Sequence, residues 1–241
     1  AHAINDGIYP DLTVKDGDFF FLRRDDERNI APTVADLIIN RLPKSYGEEI
    51  RGGIQVITPS RRGEGGTLHL NTLLQRLLNP RDAQKREVIS RETVFRVGDK
   101  VMQMHNNYDI EWTRGNTEGM GIFNGDIGVI EAINMSAQQV TVNFDDRIVE
   151  YAFSALDDLE LAYAITVHKS QGSEYPIVII PMYGAPEMLL TRNLLYTAVT
   201  RAQRMVILVG RQDIVHTMVE NKRQMLRYTG LCRRLREGVG R

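Results

Sequence analysis

The feature of this sequence that most constrains its fold is a polar stretch enclosed by two short apolar runs. Residues 163–175 read YAITVHKSQGSEY, with an apolar run at 159–165, broken by Glu160, and another at 177–181. Short runs of β-branched or large apolar residues, bounded by polar or Gly/Pro punctuation, indicate buried strands. The polar stretch therefore joins two strands. Because open α/β sheets place ligand contacts in loops at the carboxyl ends of parallel strands, residues 166–174 are a candidate site.

Strand and helix signals that alternate on both sides of this stretch predict an α/β domain. Further strands are predicted at 18–24, 54–59 and 205–210, and helices at 34–42, 68–78, 189–202 and 212–228. Residues 1–8 are expected to be the end of another helix. Pro43 and Pro80 are expected to end the first two helices, because proline cannot continue a regular helix.

The middle of the chain has a different texture. Between about residues 86 and 158, short alternating or β-branched runs are separated by turn signals at Gly98-Asp99, Gly125-Asp126 and Asp145-Asp146. Several strands with tight connections favour a small closed β-unit inserted into the α/β domain. Residues 106–124, rich in Gly and Asn and containing Trp112, are expected to form a long loop. The predicted segments are 1–85, 86–158 and 159–241.

Composition excludes several classes of function. Of the 241 residues 42% are hydrophobic and 25% charged, and no apolar stretch approaches the ~20 residues that a membrane helix needs. The first residues lack the basic and apolar segments of a secretory signal. The single cysteine, Cys232, allows no disulfide within the chain, which favours a reducing cytoplasm. With a net charge of −1, any contact with nucleic acid must come from local basic clusters.

Three ordered motifs resemble those of a known family of motor proteins. TVHKSQGSE (166–174) resembles motif V of superfamily-one helicases in the form carried by the RecD-like branch, LLYTAVTRA (194–202) resembles motif VI, and TPSRRG (58–63) resembles motif IV. FNGDIG (123–128) and the β-insertion also match that branch. Motifs that occur together and in order are far more specific than any one alone. The resemblance covers nearly the whole chain and implies a RecA-like second motor domain with a parallel sheet, plus an inserted SH3-like β-barrel.

The resemblance implies that motif V contacts both DNA and nucleotide. Three residues are expected to face DNA phosphates with a hydroxyl, an imidazole and an ammonium group: Thr166, His168 and Lys169. Gln171, Gly172 and Glu174 are expected at the nucleotide, where the glycine lets the backbone approach the phosphates and Glu174 accepts from the ribose hydroxyls. A polar loop that only caps the sheet, with His168 as a structural histidine, is the plainer alternative.

Two arginines are implied as the catalytic groups that reach the γ-phosphate of ATP. Arg201, in motif VI, is expected to end the helix at 189–202, where the helix dipole alone favours a cation by ~0.3–1 kcal/mol. The resemblance implies instead an arginine finger, which offsets charge that develops in the transition state and is worth ~10³–10⁵ in rate. Arg62, in motif IV, is the second such arginine, with Arg61 as the close alternative because one sequence does not fix the register.

The inserted unit is expected to help hold single-stranded DNA. It combines groups suited to phosphate contacts and base stacking: Lys100, His105, Asn106, Asn107, Tyr108 and Trp112. Asn106 and Tyr108 are the nucleic-acid-binding residues that we single out from this set. A basic group near the carboxyl end is expected to be a solvated face rather than a DNA contact: Lys222, Arg223, Arg227, Arg233, Arg234 and Arg236.

A complete motor of this kind also needs a phosphate-binding loop. None of the lysines follows a glycine, so the G-x-x-x-x-G-K-[ST] motif is absent from the sequence. The acidic run from Asp25 to Glu27 follows the first strand, and we interpret it as a turn rather than a Mg²⁺ site. The resemblance therefore implies the second half of a motor. Its ATP and Mg²⁺ would be held largely by an N-terminal motor domain of the same protein, and this half alone should not hydrolyse ATP.

The leading hypothesis is the C-terminal motor half of an ATP-dependent 5′-to-3′ DNA helicase, similar to the exodeoxyribonuclease V α-subunit. The resemblance implies single-stranded DNA and other recombination or repair subunits as partners, and no membrane. A non-catalytic nucleic-acid or protein-binding module is one alternative, and the helicase half of a conjugative relaxase is another. The upstream coding region discriminates among them, because each implies a different domain there.

Overall fold

The computed structural model describes residues 1–223, which form two large β-sheets, one small hairpin and several short helices. The strands are β1 (Phe19–Arg23), β2 (Ile54–Thr58), β3 (Glu87–Ser90), β4 (Thr93–Arg96), β5 (Lys100–Gln103), β6 (Asn107–Arg114), β7 (Thr117–Ile122), β8 (Ile127–Asn134), β9 (Gln139–Phe144), β10 (Arg147–Ala152), β11 (Leu159–Leu161), β12 (Ala164–Thr166), β13 (Tyr175–Met182) and β14 (Ala202–Gly210). The α-helices are α1 (His2–Asp6), α2 (Ile30–Asp36), α3 (Leu42–Tyr46), α4 (Thr67–Leu78), α5 (Arg192–Val199) and α6 (Gln212–Glu220). No helix within residues 1–223 is long and apolar enough to cross a bilayer.

The first sheet is parallel, with five strands in the order β1-β14-β13-β2-β12. Its strands β2 and β13 are buried almost throughout, as expected where helices cover both faces. Helices α1, α5 and α6 pack on one face, around a core that includes Leu195 and Val215. Helices α2, α3 and α4 pack on the other face, around Leu70 and Ile179. This three-layer arrangement confirms the predicted α/β class.

The first predicted helix does not end at Pro43. Helix α2 continues through a wide π-turn at Leu37–Arg41 into α3, so that Pro43 lies in the first turn of the following segment. In a regular helix a proline lacks an N–H and crowds the carbonyl four residues before it. Here that carbonyl, of Ile39, instead accepts a hydrogen bond from Arg51 Nη2 at 2.7 Å. The π-turn thus lets the helical path pass a residue that normally stops it.

The other predicted helices differ from the structure only at their ends. Helix α4 matches its prediction to within one residue. Helix α5 begins after Thr191, which caps it, and ends at Val199 rather than at 202. Helix α6 ends at Glu220, and residues 224–228 of the helix predicted there lie outside the described residues. Helix ends are set by tertiary contacts that a periodic pattern does not contain.

The second sheet is antiparallel, with seven strands in the order β11-β5-β8-β9-β10-β6-β7. The predicted Asp145-Asp146 turn joins β9 to β10, and both residues have positive φ, as tight hairpins require. Residues 106–124, however, form the β6–β7 hairpin rather than a long loop. Trp112 covers Gly119, where a Cβ would come within 2.2 Å of the indole. Glycine, which suggested a loop, instead makes room for a ring on the neighbouring strand.

The junction between the sheets falls inside a run predicted as one strand. Residues 159–161 form β11, which pairs with β5 in the antiparallel sheet, whereas residues 164–166 form β12, which pairs with β2 in the parallel sheet. Ala162 and Tyr163 link the two strands. The pattern did not reveal the change of sheet because both halves are apolar strand sequence.

A buried polar network fixes the two sheets against each other at this link. The carboxylate of Asp99 is fully buried and accepts from Gln75 Nε2 at 2.6 Å, Asn79 Nδ2 at 2.7 Å and Tyr163 OH at 2.9 Å. Burial, and then the charge of Asp99, raises the pKa of Tyr163, so that its hydroxyl stays a donor. The partners of Asp99 come from α4, from the residue that follows it and from the link itself. The β-unit (residues 86–161) is therefore held to the parallel sheet by buried polar groups that all have hydrogen-bond partners.

Candidate nucleic-acid groove and nucleotide edge

The polar stretch singled out in the sequence runs across the parallel sheet from one edge to the other. Thr166 pairs with Thr58 at the carboxyl ends of β12 and β2, whereas Tyr175 pairs with Ala202 at the amino ends of β13 and β14. Residues 167–174, which we call the crossover segment, therefore span the length of the strands, about 15 Å at ~3.3 Å per residue. The expectation that the whole loop lies at the carboxyl edge is wrong, because the next strand is parallel and must begin at the opposite edge.

The crossover segment begins with a 3₁₀ turn at Val167–Ser170. Val167 is buried in the core, and Ser170 Oγ donates to the carbonyl of Val167 at 2.8 Å, which closes the turn. Between these two anchors His168 is exposed and Lys169 is half-buried. The mixture of apolar and polar residues thus fixes the backbone and leaves an imidazole and an ammonium group on the outside of the turn.

Lys169 connects the parallel sheet to the β-unit. Its Nζ donates to the carbonyl of Met104 at 3.0 Å and to Asn124 Oδ1 at 2.6 Å. The carbonyl of Lys169 also lies 3.6 Å from the position that a Cβ on Gly125 would take, and Gly125 has a φ of +99°. A glycine at this turn permits both the backbone conformation and the close approach. Motif V and the FNGDIG turn are therefore in direct contact.

A groove lies between the carboxyl edge of the parallel sheet and the β-unit, and we call it the seam groove. Its lining includes Arg61, Met102, Met104, Leu161, Thr166 and Lys169. Across its rim, Arg61 Nη2 lies 2.8 Å from Glu160 Oε1. A groove with an apolar floor and a charged rim suits a single nucleic-acid strand, whose bases prefer apolar surfaces and whose phosphates prefer cations.

A chain of contacts extends from the seam groove over the surface of the β-unit. Asn124 N donates to Asn106 Oδ1 at 2.9 Å, and Asn106 Nδ2 donates to Tyr108 OH at 3.1 Å. The ring of Tyr108 meets Phe123 edge to face at a centroid distance of 5.7 Å, and the two residues are 64% and 43% exposed. The structure thus brings Asn106 and Tyr108 together with Lys169, through Asn124. Phe123 and Asn124 were not singled out from the sequence, although both belong to the FNGDIG motif that signals the turn.

The far end of the crossover segment forms a second polar site at the amino edge of the parallel sheet, which we call the amino-edge site. Gly172 has a φ of +90°, and a Cβ placed on it would meet no atom within 4 Å, so the backbone there faces open space. Gln171 and Glu174 are exposed beside it. The nearest side-chain partner of Glu174 is Gln203, whose Nε2 lies 3.4 Å from Oε2.

Arg201 lies at the same site. It stands in the turn between α5 and β14, so the expectation that it lies at the end of a helix spanning 189–202 is wrong, because the helix already ends at Val199. Its Nη1 donates to the carbonyl of Ser173 at 3.2 Å and its Nε donates to the carbonyl of Thr197 at 3.3 Å. Tyr175 N donates in turn to the carbonyl of Arg201 at 2.8 Å. These bonds hold the guanidinium of Arg201 next to the backbone that leads into Glu174.

Arg62 lies at the opposite edge of the sheet from Arg201. Its loop follows the carboxyl end of β2 and is fixed by Tyr183, whose hydroxyl lies 3.0 Å from Ser60 Oγ and donates to the carbonyl of Arg62 at 3.3 Å. The side chains of Arg61 and Arg62 are both exposed. Because the length of the strands separates the two edges, Arg62 and Arg201, predicted as one catalytic pair, do not converge within this chain.

Two groups expected on a DNA-binding loop are inside the fold. Lys100 Nζ donates to Gln55 Oε1 at 2.8 Å, and burial lowers the pKa of its ammonium group from 10.5 to about 8. Trp112 is half-buried over Gly119 in the β6–β7 hairpin. These two residues are therefore core residues of the β-unit, the plainer of the two interpretations, and a lysine and a tryptophan in a polar segment do not reveal that their side chains turn toward the interior.

The amino-edge site fits only part of a bound ATP. A guanidinium, an exposed carboxylate and the open backbone at Gly172 suit the terminal phosphate and the ribose. No glycine-rich loop that could wrap the phosphates accompanies them in residues 1–223. Within the same residues no three His, Cys, Asp or Glu side chains come together as a metal site.

Two family models match the chain, one for each structural unit. The SH3 domain of ATP-dependent RecD-like DNA helicases matches residues 70–144, which include most of α4 and most of the antiparallel sheet. The UvrD-like helicase C-terminal domain matches residues 161–209, which include the crossover segment and Arg201. Residues 145–160 lie between the two matched regions, and the second region begins at the end of β11.

Known relatives extend the similarity over most of the chain. The ATP-dependent RecD2 DNA helicase of Deinococcus radiodurans is 37% identical over 185 residues, which are 77% of this chain and 24% of that protein. The RecBCD enzyme subunit RecD of Mycolicibacterium smegmatis is 33% identical over 182 residues, which are 76% of this chain and 29% of that protein. The chain thus spans about a quarter of the length of these relatives.

The fold, the two matched domains and these relatives define a superfamily-one helicase unit with an SH3-like insertion. The chain belongs to the RecD-like family of DNA helicases. Among solved structures, Pif1 helicase from Bacteroides in complex with ADP-AlF3 and ssDNA matches 90% of this chain and 54% of its own, with 17% identity and a TM-score of 0.44. A likeness at that score carries no argument about the site.

Proposed function

We propose that this chain supplies the single-stranded DNA grip and one wall of the nucleotide site of an ATP-dependent RecD-like helicase. The observation that carries the proposal is the crossover segment. At one end Thr166 and Lys169 line the seam groove, and at the other Glu174 adjoins Arg201. A motor must change its grip on DNA when its nucleotide changes, and a segment shared by both sites couples them directly.

On the DNA side, the seam groove and the carboxyl edge carry the phosphate contacts. Thr166 offers a hydroxyl, Lys169 and His168 offer cationic or N–H donors, and Arg61 and Arg62 extend the basic rim along the same edge. We therefore propose Arg62 as a DNA contact rather than as a second arginine finger, since it lies at the carboxyl edge with the groove. Asn106 and Tyr108, with Phe123, then provide a platform on which bases stack beyond the groove.

On the nucleotide side, Arg201 acts as the arginine finger and offsets charge on the γ-phosphate in the transition state. Gly172 lets the backbone approach the nucleotide, Gln171 lies beside it, and Glu174 accepts hydrogen bonds from the ribose hydroxyls. Mg²⁺ and the phosphate-binding loop belong to an N-terminal motor domain that completes the cleft. Without that domain this chain binds DNA but does not turn over ATP.

The proposed organisation is a motor domain in two segments, 1–85 and 159–241, with an SH3-like unit at 86–158 between them. The change of sheet at Ala162–Tyr163 favours a second boundary a few residues later than 158. Translocation from 5′ to 3′, and work with further recombination or repair subunits, are proposed from the RecD-like family alone.

A non-catalytic nucleic-acid-binding module remains the second candidate, and one observation favours it. Arg61, Thr166 and Lys169 line the seam groove together with Met102 and Met104 of the β-unit, so the proposed strand site is built without any residue of the amino-edge site. The two candidates differ in whether the amino-edge site works in ATP turnover.

The deciding experiment uses two proteins: this chain, and the same chain extended through a domain that contains the phosphate-binding loop. Anisotropy of a fluorescein-labelled oligo-dT should report binding by both, and DNA-stimulated ATPase should appear only in the extended protein. Binding by both with no ATPase in the extended protein would favour the module. Absence of binding by either would remove the seam groove as a DNA site.

A further inference from the structure

The rim of the seam groove contains an acid as well as a base. Arg61 Nη2 and Glu160 Oε1 are 2.8 Å apart, and the two side chains are 54% and 42% exposed. Arg61 comes from the loop after β2 and Glu160 from β11, so the pair bridges the two walls of the groove. A carboxylate at this place works against the binding of a phosphate, because like charges repel and because it already accepts from Nη2 of the guanidinium.

We propose that Glu160 competes with DNA phosphate for Arg61 and thereby keeps the grip of the groove weak and exchangeable. This inference rests on the proposed function of the seam groove as a single-strand site. It concerns the regulation of that site rather than its existence. A translocating motor must release each phosphate as readily as it binds it, and an internal competitor lowers the free-energy gain of every contact that Arg61 makes.

The exposure of the pair makes the competition physically reasonable. An ion pair open to solvent contributes about 0.2–1 kcal/mol, so a phosphate can displace the carboxylate without a large penalty. Lys169 differs from Arg61, because its partners are the neutral Met104 carbonyl and Asn124 amide oxygen. Lys169 can therefore bind a phosphate while it keeps its present contacts. A phosphate that binds Nη2 of Arg61 must instead displace the Glu160 carboxylate. Glu160 thus acts on Arg61 specifically.

The test is a double-mutant cycle on the intact chain with fluorescein-labelled oligo-dT as the probe. Glu160→Gln removes the charge at nearly constant volume and should tighten binding about two- to fivefold, the size of a lost exposed ion pair. Its dissociation rate should fall by a similar factor. In an Arg61→Gln background the same Glu160→Gln change should have no effect, because the contested guanidinium is gone. Glu150→Gln, on the exposed side of β10, is the matched control and should leave affinity unchanged.

Three results would overturn the inference, and they are distinguishable. A tightening that persists in the Arg61→Gln background would mean general repulsion by Glu160 rather than competition for Arg61. If the wild-type chain binds oligo-dT and Glu160→Gln binds it with the same affinity, Glu160 does not compete for Arg61. The seam groove would then remain the proposed DNA site. Absence of binding by both proteins would remove the groove and the competition together. Circular dichroism of each variant establishes that the fold is retained.

Discussion

Lys169 Nζ lies 2.6 Å from Asn124 Oδ1, and this bond joins motif V to the turn that begins β8. The same lysine lies in the 3₁₀ turn that follows β12, so its backbone continues from the parallel sheet while its side chain contacts the β-unit. A DNA strand in the seam groove would meet both units at this point.

Replacing Lys169 with methionine should weaken binding of single-stranded DNA and reduce its dependence on salt. Each phosphate neutralised on a single strand contributes about 0.7 to the slope of log K against log salt, so the slope should become shallower by about that amount. The measurement is a salt titration of oligo-dT anisotropy. Lys44→Met, which removes an exposed lysine from α3, is the control and should leave the slope unchanged.

Asn124→Ala separates the electrostatic role of Lys169 from its structural role. The variant removes the 2.6 Å bond to Lys169 but keeps the ammonium group and its contact with Met104. Its salt slope should therefore match wild type even if its thermal stability falls. If the salt slope becomes shallower by the same amount in Asn124→Ala and in Lys169→Met, the lysine orders the groove rather than binding phosphate.

Tyr108→Ala should weaken binding of single-stranded DNA without a change in the salt slope, because base stacking releases no counterions from the phosphates. Loss of a base–aromatic contact typically costs about 1–3 kcal/mol of binding free energy, and the exposed rings of Tyr108 and Phe123 form one platform. Competition with an abasic oligomer of the same length provides a second readout, since the variant should lose most of its preference for bases. Tyr46→Ala, at a similarly exposed tyrosine on α3, serves as the control.

The sequence was sufficient to predict the layers of the fold and the positions of the motifs. It was insufficient to predict contacts between segments that are far apart in the chain. The apolar runs at 54–59 and 177–181 became buried strands because any covered parallel strand has that composition. The run at 159–165 gave no sign that it changes sheet after Leu161. Lys100 reads as a solvent-exposed cation until the position of Gln55 is known.

The same limit applies to the two arginines that were predicted to reach the γ-phosphate. Motif spacing identified Arg62 and Arg201 but not the edge of the sheet at which each lies, because that depends on the direction and register of the strands before them. The side-chain partners of Arg61 and Lys169, which are Glu160 and Asn124, come from other segments, and motif spacing does not pair them. They become visible only through distances.

Arg201 and Arg62 should have separable effects in a protein that includes the phosphate-binding domain. Arg201→Lys keeps the charge but loses the planar fork, and it should lower the ATPase rate by about 10³-fold or more while DNA affinity is retained. Arg62→Gln should leave the ATPase rate unchanged at saturating DNA and weaken single-strand binding, because Arg62 lies with the seam groove. Equal loss of ATPase in both variants would contradict the assignment of the two edges to different ligands.

The stability of the chain should rise with pH between about 8 and 10.5 because of Lys100. Burial lowers the pKa of Lys100 from 10.5 to about 8, so in this window the unfolded chain binds a proton that the folded chain does not, and raising the pH favours the folded state. Lys100→Met removes this contribution. In urea unfolding, the free energy of unfolding of the wild type should therefore rise by about 1–3 kcal/mol relative to that of Lys100→Met across this pH window. Lys44→Met should follow the wild type. A constant difference between wild type and Lys100→Met would mean that Lys100 keeps an ordinary pKa and that water reaches its ammonium group in the folded protein.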